Sequence, residues 1–562
     1  MSMLREWSVR KRAPTTALDL AGLDHPLLAQ LVLNRDHATA AAATAFLVPA
    51  HDAMPTGPCL ADLPRAVDRV ARAIDRAERV IVYGDYDADG LSGATLLGIA
   101  LRAAGADACV FIPHRDRDGY GLNAAQLERL AGEGVGLVVT VDCGVSGVTE
   151  VDAATAVGLD VVVTDHHEPP TILPAAFAIV NPRRADCPFE FKQLAGAGVA
   201  LAVALAIVER FVAEPQRPGL VDRLYELAAL GTVADIMPLV GPNRAIVRRG
   251  LAVMNARPSP GIRALLERAG VGPGEVTAET IGFKLAPRLN APGRIAEAML
   301  SHELLAADTR DEADALAERI EAVNGTRRTL LDEHIGRARA AVAELGPELP
   351  AALVLCGDYN SGLLGLLAAR LAEEAGRPVA VLNEADVCRG SVRGIPGFDT
   401  IAAVRACHDL LDRYGGHHGA AGLSVARARL ADFESTFVAA SEAGMRGLLA
   451  PPPPVADARL KPETITWQLT DLLARLEPCG AGNVAPLFET RGLYVEDARV
   501  VGAKHVKLTL TAPQARLSGI AFNAADDGPP NGQHIDVLHR VRRNVWKDRR
   551  SAELEVIGWR LA

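Results

Sequence analysis

The sequence is poor in aromatic residues and has no closely spaced cysteine pair. Only 4% of its 562 residues are Phe, Trp or Tyr, so we expect cores packed from alanine, leucine and valine. The eight cysteines, at positions 59, 109, 143, 187, 356, 388, 407 and 479, form no Cys-x-x-Cys pair. This spacing excludes an obvious zinc-binding module and fits reduced thiols in a cytosol.

Long apolar segments and a strongly basic charge are also missing. The longest apolar run, residues 195–208, ends at Glu209 and is shorter than the ~20 residues that a membrane-spanning helix needs. The first twelve residues contain no apolar stretch typical of a secretory signal. We therefore expect a cytoplasmic protein without a membrane segment. The net charge of −10 argues neither for nor against nucleic acid, because basic patches can form locally.

The length and the pattern of elements predict an α/β protein of several domains. At ~100–200 residues per domain, 562 residues suggest three or four domains. Helical and strand periodicities alternate over residues 60–250 and again from Ala351, with a long helical connector between them. The predicted divisions are a helical segment (1–55), a first, parallel-sheet α/β domain (56–250), a helical connector (251–345), a smaller second α/β domain (346–450) and a C-terminal β-barrel (455–562).

Acidic residues follow three strands of the first predicted sheet, where those strands end. The strand at 79–83 leads to Asp85, the strand at 135–141 to Asp142, and the strand at 160–164 to Asp165. Strands that alternate with helices form a parallel sheet with right-handed crossovers, so these acids should lie along one edge. Open α/β sheets usually bind their ligands at this edge.

The residues near this edge have the chemistry of a divalent metal site. Carboxylates at alternate positions of the turn 85–89 repel one another unless a cation lies among them. An isolated Asp-x-Asp motif is a solvated turn about as often as it is a metal site. A lone His-His pair, such as 166–167, more often bonds to backbone carbonyls than to a metal. Their position after parallel strands favours the metal site, and oxygen ligands with one imidazole suit Mn²⁺ or Mg²⁺ better than structural zinc. The candidate ligands are Asp85, Asp87, Asp142, His166 and Asp235.

Several motifs, in their order and spacing, resemble the DHH phosphoesterase superfamily. They are Gly84-Asp-Tyr-Asp-Ala-Asp-Gly90, Val141-Asp-Cys-Gly144, Asp165-His-His167 and Val233-Ala-Asp235. Gly415-Gly-His-His-Gly-Ala-Ala-Gly422 is similar to the glycine-rich signature of the companion DHHA1 domain. Residues 111–115 with 119–121, 286–294 and 478–483 resemble the RecJ branch, bacterial 5′→3′ single-strand DNA exonucleases. Each motif alone is weak, but the ordered set covers essentially the whole chain.

The resemblance implies two divalent metal ions, Mn²⁺ or Mg²⁺, in the first domain. By this comparison Asp85 and Asp87 bind different ions and Asp142 bridges them. His166 and Asp235 then complete one coordination sphere.

The same resemblance implies roles for residues around the ligands. His167 would face the scissile phosphate, and Asp165 would orient the two histidines. Asp89 is expected to be structural or to support the ligands, because other branches of the superfamily lack an acid there. In the second domain, His417 occupies the histidine position of a glycine loop whose backbone can approach a phosphate closely.

A pocket for the 5′-phosphate of the DNA is also implied. Arg115, Ser391 and Arg393 match its positions, and an arginine fork with a hydroxyl suits a terminal phosphate. Arg294 and Arg370 match positions near the path of the strand, although surface arginines paired with local acids are the alternative.

Two departures from the family pattern concern this pocket. Val392 and Gly394 stand where smaller and hydroxyl-bearing residues are expected. Residues 360–365 lack the Trp-His pair often found before the following helix.

The C-terminal barrel is expected to be an OB-fold that binds nucleic acid. A basic stretch with an aromatic residue inside it is typical of a single-strand groove, but also of a cationic hairpin on a solvated edge. Its members are Arg540, Arg542, Arg543, Trp546, Lys547, Arg549 and Arg550.

The resemblance therefore implies a 5′→3′ exonuclease of DNA repair and recombination that hydrolyses single-stranded DNA to 5′-mononucleotides. Nothing in the sequence demands more than a monomer, and a single-strand-binding protein and a helicase are candidate partners. One alternative is an oligoribonuclease or bisphosphate-nucleotide phosphatase of the same superfamily, against which the barrel at 455–562 counts. The other is a non-catalytic DNA-binding replisome factor, against which the complete ligand set counts.

Overall fold

A computed structural model describes residues 3–14, 16–17, 23–48, 59–446, 448, 452–546 and 549–562. The predicted divisions near residues 55 and 450, and Lys547 of the basic stretch, lie outside these ranges. Within them, no helix is long and apolar enough to cross a membrane.

The first sheet is parallel throughout, which confirms the interpretation of the alternating pattern. Its strands lie in the order Asp107–Phe111, Arg79–Gly84, Val135–Val141, Asp160–Thr164 and Ala178–Val180. Alternate side chains of the second of these strands enter two different cores, because successive side chains of a strand point to opposite faces. Val80 and Val82 pack in the larger core and Ile81 and Tyr83 in the smaller one.

Helices cover both faces of this sheet. The smaller core lies under Ala124–Gly132 and Val148–Ala156. The larger core is built by Leu63–Asp75, Ala88–Ala103, Gly196–Phe211, Arg217–Ala234 and Gly241–Ala256. Gly196–Phe211 is apolar nearly all round, as a helix between other elements must be.

A helical region joins the first domain to the second. It runs through Pro260–Arg268, Ala278–Thr280, a π-helical turn at Ile281–Leu285, Ala286–Asn290, Pro292–Ile295, Met299–Ala306 and the 35-residue helix Arg310–Glu344. The last helix begins at Thr309, whose hydroxyl accepts a hydrogen bond from the N–H of Glu312. Its early residues pack in the core of the first domain, and Ala338 packs in that of the second. The long joining helix is thus confirmed.

The second sheet is mixed. Its strands lie in the order Arg413–His417, Ala420–Ala426, Val387–Arg393, Val379–Asn383 and Leu353–Gly357, of which the last two are parallel and the others antiparallel. Leu364–Ala375 packs on one face, and Thr400–Arg405 and Leu430–Met445 pack on the other.

The C-terminal region forms a closed five-stranded barrel, as predicted. Its strands are Phe488–Val501, His505–Ala512, Ala515–Ala521, His534–Trp546 and Arg549–Leu561, with Ala458–Arg459 added beside the first. Pairing of the first strand with both the second and the fourth closes the barrel. The helix Trp467–Ala474 packs beside it.

The first part of the chain packs on this barrel rather than standing alone, which the sequence did not indicate. The helices Pro26–Leu33 and Ala40–Leu47 share a core with the barrel strands. Ser8–Val9 adds a parallel pairing with Val455–Ala456. The strand pairing and the shared core thus hold Ser8–Val9 and the two helices on the C-terminal region.

Candidate functional site

The carboxyl ends of three neighbouring strands bring Asp85, Asp142 and Asp165 to one edge of the first sheet. Each residue directly follows its strand, and its backbone N–H donates to a carbonyl at the end of the adjacent strand at 3.0–3.2 Å. Asp142 has a φ of 63°, a left-handed conformation that aspartate tolerates better than most residues. The strand ends therefore fix the backbone beneath the acidic cluster.

Seven side chains at this edge form three groups, in each of which the ligand atoms lie within 4.8 Å of one another. The groups are Asp85, Asp87 and Asp142, then Asp89, His166 and Asp235, and then Asp142, His166 and His167. They share Asp142 and His166, and His166 Nε2 lies 3.1 Å from Asp142 Oδ1 and 3.6 Å from Asp235 Oδ2. The structure thus brings all five residues that the sequence proposes as ligands into one cluster.

Buried polar atoms of this cluster have no hydrogen bond. Within the described part of the chain, Asp142 Oδ1, Asp235 Oδ2 and His166 Nδ1 have no hydrogen-bond partner. Burial, and next the charges of neighbouring aspartates, raise the pKa of Asp85 to about 8 and that of Asp235 to about 7, and also raise that of Asp142. Cations among these oxygens would remove the repulsion and give the two unpaired carboxylate oxygens a partner, with His166 Nε2 facing the same place. The donor set therefore fits divalent metal ions.

His166 has the protonation state that a metal ligand needs. Burial, and next the charge of His167, lower its pKa to about 4, so the imidazole is neutral at pH 7.

Asp165 holds His167 rather than joining the ligand groups. Its Oδ1 accepts from the His166 N–H at 2.7 Å and lies 2.8 Å from His167 Nδ1, and its Oδ2 accepts from the Val145 N–H at 2.9 Å. Burial lowers the pKa of His167, but the hydrogen bond and charge of Asp165 outweigh it and raise the pKa to about 9. A half-exposed cation thus lies beside the cluster, with its Nδ1 3.9 Å from Asp142 Oδ1.

Asp89 links the cluster to a helix start. Its carboxylate accepts from the N–H groups of Gly196 at 2.7 Å and Ala197 at 2.9 Å, where the helix Gly196–Phe211 begins. Its Oδ2 also lies 4.0 Å from His166 Nε2. Since both carboxylate oxygens are already hydrogen bonded, its contacts are those of a supporting residue.

Two arginines lie where the helical region meets both α/β domains. Arg115 Nε donates to the Gly293 carbonyl at 3.1 Å, and its guanidinium lies 4.0 Å from the centre of the Tyr86 ring. Arg294 Nη1 donates to the Gly362 carbonyl of the second domain at 3.1 Å. Burial, and next the charge of Arg115, lower the pKa of Arg294 to about 10.

Arg393 and Ser391 face this junction from the second sheet. Arg393 Nη1 donates to Ser391 Oγ at 2.8 Å and to the Val392 carbonyl at 2.9 Å. A Cβ on Gly365 would lie 2.8 Å from Arg393 Nη2, so a side chain at this point of the helix would displace the guanidinium group. The charge of Arg393 also lowers the pKa of Arg294, which places the guanidinium groups in one cationic region.

The glycine-rich hairpin lies beside Ser391 and Arg393. In register, Gly422 and then Gly415 lie across from Ser391, while Ala420 and His417 lie across from Arg393. A Cβ on Gly415 would meet nothing within 4 Å, so the hairpin leaves an open backbone surface next to the serine. His417 is exposed, and its Nδ1 accepts from the Gly419 N–H at 3.3 Å.

Arg370 is engaged in local ion pairs, the alternative that the sequence left open. Its Nε lies 2.7 Å from Glu374 Oε1 on the same helix.

The departures at residues 392 and 394 have packing explanations. Val392 is fully buried in the core on the other face of the sheet. A Cβ on Gly394 would lie 2.4 Å from Thr400 Oγ1, so the hydroxyl of Thr400 occupies the space that a hydroxyl-bearing side chain at 394 would need.

Three arginines of the basic stretch of the barrel form ion pairs. Arg540 and Arg542 pair with Glu555, and Arg543 pairs with Asp471. The contacts of these three residues are those of the solvated-hairpin alternative.

Several residues that support the site were not found from the sequence. Tyr120 Oη lies 3.3 Å from His167 Nε2, and Asn181 Nδ2 donates to the His167 carbonyl at 2.9 Å. Asn290 Oδ1 accepts from the Ala88 N–H at 2.7 Å, at the start of the helix that follows the acidic turn. The motifs at 119–121 and 286–294 contain Tyr120 and Asn290, but their sequence gives no contact partner.

This fold and cluster define a class of phosphoesterase. Residues 79–232 match the model of the DHH family, N-terminal domain, residues 350–442 match the DHHA1 domain, and residues 456–558 match the RecJ OB domain. The three matched regions lie in the first α/β domain, the second α/β domain and the barrel.

Individual proteins similar to this chain belong to one family within this class of phosphoesterases. The single-stranded-DNA-specific exonuclease RecJ of Bacillus subtilis is 33% identical over 94% of this chain and 67% of its own length. The RecJ of Dickeya dadantii is 34% identical over 88% of this chain and 90% of its own length. The crystal structure of Thermus thermophilus RecJ with Mn²⁺ matches with a TM-score of 0.83 and 30% identity, covering 99% of this chain and 79% of that one. The chain therefore belongs to the RecJ family.

Proposed function

We propose that this chain is a metal-dependent exonuclease that hydrolyses single-stranded DNA from its 5′ end to 5′-mononucleotides. The observation that carries the proposal is the buried cluster of unpaired carboxylate and imidazole atoms at the carboxyl edge of the first sheet. Membership of the RecJ family, whose curated members are named single-stranded-DNA-specific exonucleases, supplies the substrate class.

Two divalent cations, Mn²⁺ or Mg²⁺, are the cofactors in this proposal. The relatives from T. thermophilus were crystallised with each of these ions. Bound in this cluster, the ions would supply the Lewis acidity that phosphodiester hydrolysis requires. The ligands would be Asp85, Asp87, Asp142, His166 and Asp235, whose clustering supports the assignment.

His167 would contact the scissile phosphate directly. Its imidazole is held by Asp165, and its raised pKa keeps it cationic at neutral pH. A cation at this place can donate a hydrogen bond to a phosphate oxygen and stabilise the charge that develops there. Asp165 acts through it as a positioning residue.

The 5′ polarity would come from the cationic region between the domains. Arg115, Arg294 and Arg393, with the Ser391 hydroxyl, offer charged donors suited to a terminal phosphate. The open glycine backbone and His417 flank this region. Capture of the terminal phosphate at a fixed distance from the cluster would release one nucleotide at a time. Arg370, paired with Glu374, would contribute only where the strand displaces that pair.

The same proposal covers the setting of the reaction. We infer a cytoplasmic monomer that acts in DNA repair and recombination on strands prepared by a helicase and covered by a single-strand-binding protein. The OB-fold barrel supports single-strand binding, because such barrels elsewhere bind single strands.

The test is product analysis on single-stranded DNA labelled at either end, with Mn²⁺ or Mg²⁺. We expect mononucleotides released stepwise from the 5′ end, and a loss of at least 100-fold in Asp142→Asn because a bridging ligand is removed. The matched control is Asp152→Asn, an exposed aspartate on the helix Val148–Ala156, which should retain full activity.

A second arm tests the phosphate pocket. Arg393→Gln should lower the rate on 5′-phosphorylated strands by about tenfold or more and leave the rate on strands with a 5′-hydroxyl nearly unchanged. Arg427→Gln, an exposed residue of the same domain paired with Glu384, is the control. Cleavage of only two- to five-nucleotide oligomers would favour the small-substrate alternative, and binding without cleavage would favour the non-catalytic one.

A further inference from the structure

Ile236, the residue that follows Asp235, has an unfavourable backbone conformation. Its φ is 57°, in the left-handed region that β-branched residues rarely adopt. It follows the helix Arg217–Ala234 at a position where glycine is usual, because the Met237 N–H donates to the Thr232 carbonyl in a helix-ending turn. An isoleucine at this position therefore costs stability that glycine would not.

The side chain of Ile236 gains nothing from burial in return. It is 76% exposed, so it has neither the backbone conformation nor the packing that would explain a branched apolar residue. Backbone strain retained beside a site is often part of that site's function. Its neighbour Asp235 belongs to the ligand cluster.

A second exposed apolar side chain lies on the adjacent element. Phe283 is 80% exposed on the π-helical turn Ile281–Leu285, and turns of this kind occur frequently at functional sites. A Cβ on Gly282 would lie 3.9 Å from Val233, three residues before Ile236. The π-helical turn therefore packs on the end of the helix that presents Ile236.

Both residues lie between the ligand cluster and the barrel. Just after Ile236, the Leu239 N–H donates to the Ala481 carbonyl at 2.7 Å, in the loop that leads into the barrel. In the same loop Val484 is 65% exposed. Arg115 adjoins the acidic turn at 85–89 instead, through the Tyr86 ring. A strand held there by its 5′ end and bound by the barrel would pass Asp235 and Ile236.

We propose that Ile236 and Phe283 form an apolar contact for the bases of the single strand between the ligand cluster and the barrel. The inference rests on the proposed function and adds substrate-binding residues to it. Bases are apolar on their faces, and stacking on a side chain is independent of sequence. The occupant is therefore a base-bearing strand, and the contact is specific for bases over backbone.

The first test compares two variants of nearly equal size. Ile236→Leu keeps the apolar side chain, whereas Ile236→Asn places a polar residue that tolerates the left-handed conformation. We expect Ile236→Asn to fold with an equal or higher Tm but to raise KM on long single strands about tenfold with kcat nearly unchanged. Ile236→Leu should have the same KM as the unmodified protein.

The contact with bases has its own readout. For the unmodified protein, KM should be about tenfold higher on a strand with abasic positions after the scissile phosphate than on an intact strand. For Ile236→Asn, the two strands should give nearly the same KM. Phe283→Ala should behave like Ile236→Asn. The control for Ile236→Asn is Ala77→Asn, at a left-handed residue (φ 52°) before the strand Arg79–Gly84 and far from Asp85. The control for Phe283→Ala is Leu345→Ala, at an exposed apolar residue after the connector helix.

The outcomes separate this inference from the function it rests on. If the unmodified protein degrades the strand and Ile236→Asn and Phe283→Ala match it in KM, the apolar contact is wrong and the exonuclease proposal stands. A fall in kcat for Ile236→Asn on all substrates would show instead that the residue only positions Asp235. Absence of degradation by the unmodified protein would overturn the proposed function itself.

Discussion

At the scale of single residues, the ligand cluster depends on space that only glycine leaves. A Cβ on Gly196 would lie 2.5 Å from the Cβ of Asp142, whereas a Cβ on Gly198 would come no closer than 3.5 Å to Leu194. Both glycines belong to the helix Gly196–Phe211. The backbone of the helix start therefore packs directly against the side chain of Asp142.

We predict opposite results for alanine at these two positions. Gly196→Ala should displace Asp142 and lower nuclease activity at least tenfold, because the added methyl group overlaps the carboxylate. Gly198→Ala should keep activity and gain roughly 0.5–1 kcal/mol of stability, since alanine favours a helix interior. Kinetics with a calorimetric titration of Mn²⁺ would test this, and equal metal affinity in both variants would contradict it.

A buried histidine predicts a pH effect on stability. His302 lies 2.8 Å through its Nδ1 from Thr95 Oγ1, and burial, and next the charge of Arg102, lower its pKa to about 4. In the unfolded chain its pKa is about 6.5, so the folded state favours neutral imidazole. Its contribution is complete above pH 6.5 and is lost as the pH falls toward 4, by up to about 3 kcal/mol. His302→Gln should show a smaller fall in Tm between pH 7.5 and pH 5, and parallel Tm curves would refute the assignment.

The sequence predicts the ligand residues better than it predicts the hydrogen bonds that hold them in place. Asp85, Asp142 and Asp165 could be predicted to meet because strand ends in a parallel sheet share an edge. The hydrogen-bond partners of Asp89 could not be predicted, because they belong to a helix start more than 100 residues later in the chain. Contacts of that kind depend on how helices pack, which periodicity does not specify.

At the scale of elements, the connector helix is continuous across two glycines. Arg310–Glu344 runs through Gly325 and Gly336 without a break, and a Cβ on either glycine would meet nothing within 4 Å. The helix persists because both ends pack on the α/β domains.

Replacing these two glycines with alanine should stabilise the protein. Gly325→Ala and Gly336→Ala should each raise the free energy of unfolding by roughly 0.5–1 kcal/mol, since alanine restricts the unfolded chain and favours the helix. Thermal unfolding of each variant would measure this. A lower Tm in either variant would show that the connector must bend at that glycine.

Elements with strong patterns were predicted and irregular ones were not. The parallel sheet, the long helix and the barrel follow from alternation, periodicity and short alternating strands. The π-helical turn Ile281–Leu285 does not, because its extra residue per turn leaves no mark in a short sequence. The pairing of Ser8–Val9 with Val455–Ala456 escaped too, since two-residue strands carry no periodicity.

At the scale of the whole molecule, one buried arginine ties three regions together. Arg244 of the first domain is 1% exposed and donates to the carbonyls of Phe46, Pro478 and Glu477. It thereby fastens the early helices and the loop before the barrel to the first domain. Its place could not be predicted, because an arginine in a helical pattern usually lies at the surface.

Removing this side chain should loosen the barrel without disturbing the cluster. Arg244→Met leaves three buried carbonyls without a donor and should cost about 3 kcal/mol or more. We expect faster hydrogen exchange in residues 26–47 and 476–484, and a KM increase on long strands only. Arg257→Met, an exposed residue with one long ion pair, is the control. Unchanged hydrogen exchange in both segments of Arg244→Met would show that this arginine does not hold them to the first domain.

The pairing of Ser8 with Val455 has a consequence for synthesis on the ribosome. Ser8–Val9 and the helices Pro26–Leu33 and Ala40–Leu47 cannot complete their packing until the barrel emerges some 450 residues later. At bacterial translation rates this interval is on the order of 20–90 s. During that time the apolar faces of Pro26–Leu33 and Ala40–Leu47 lack their partner core. The nascent chain thus exposes two apolar helices until the C-terminal barrel has been made and can cover them.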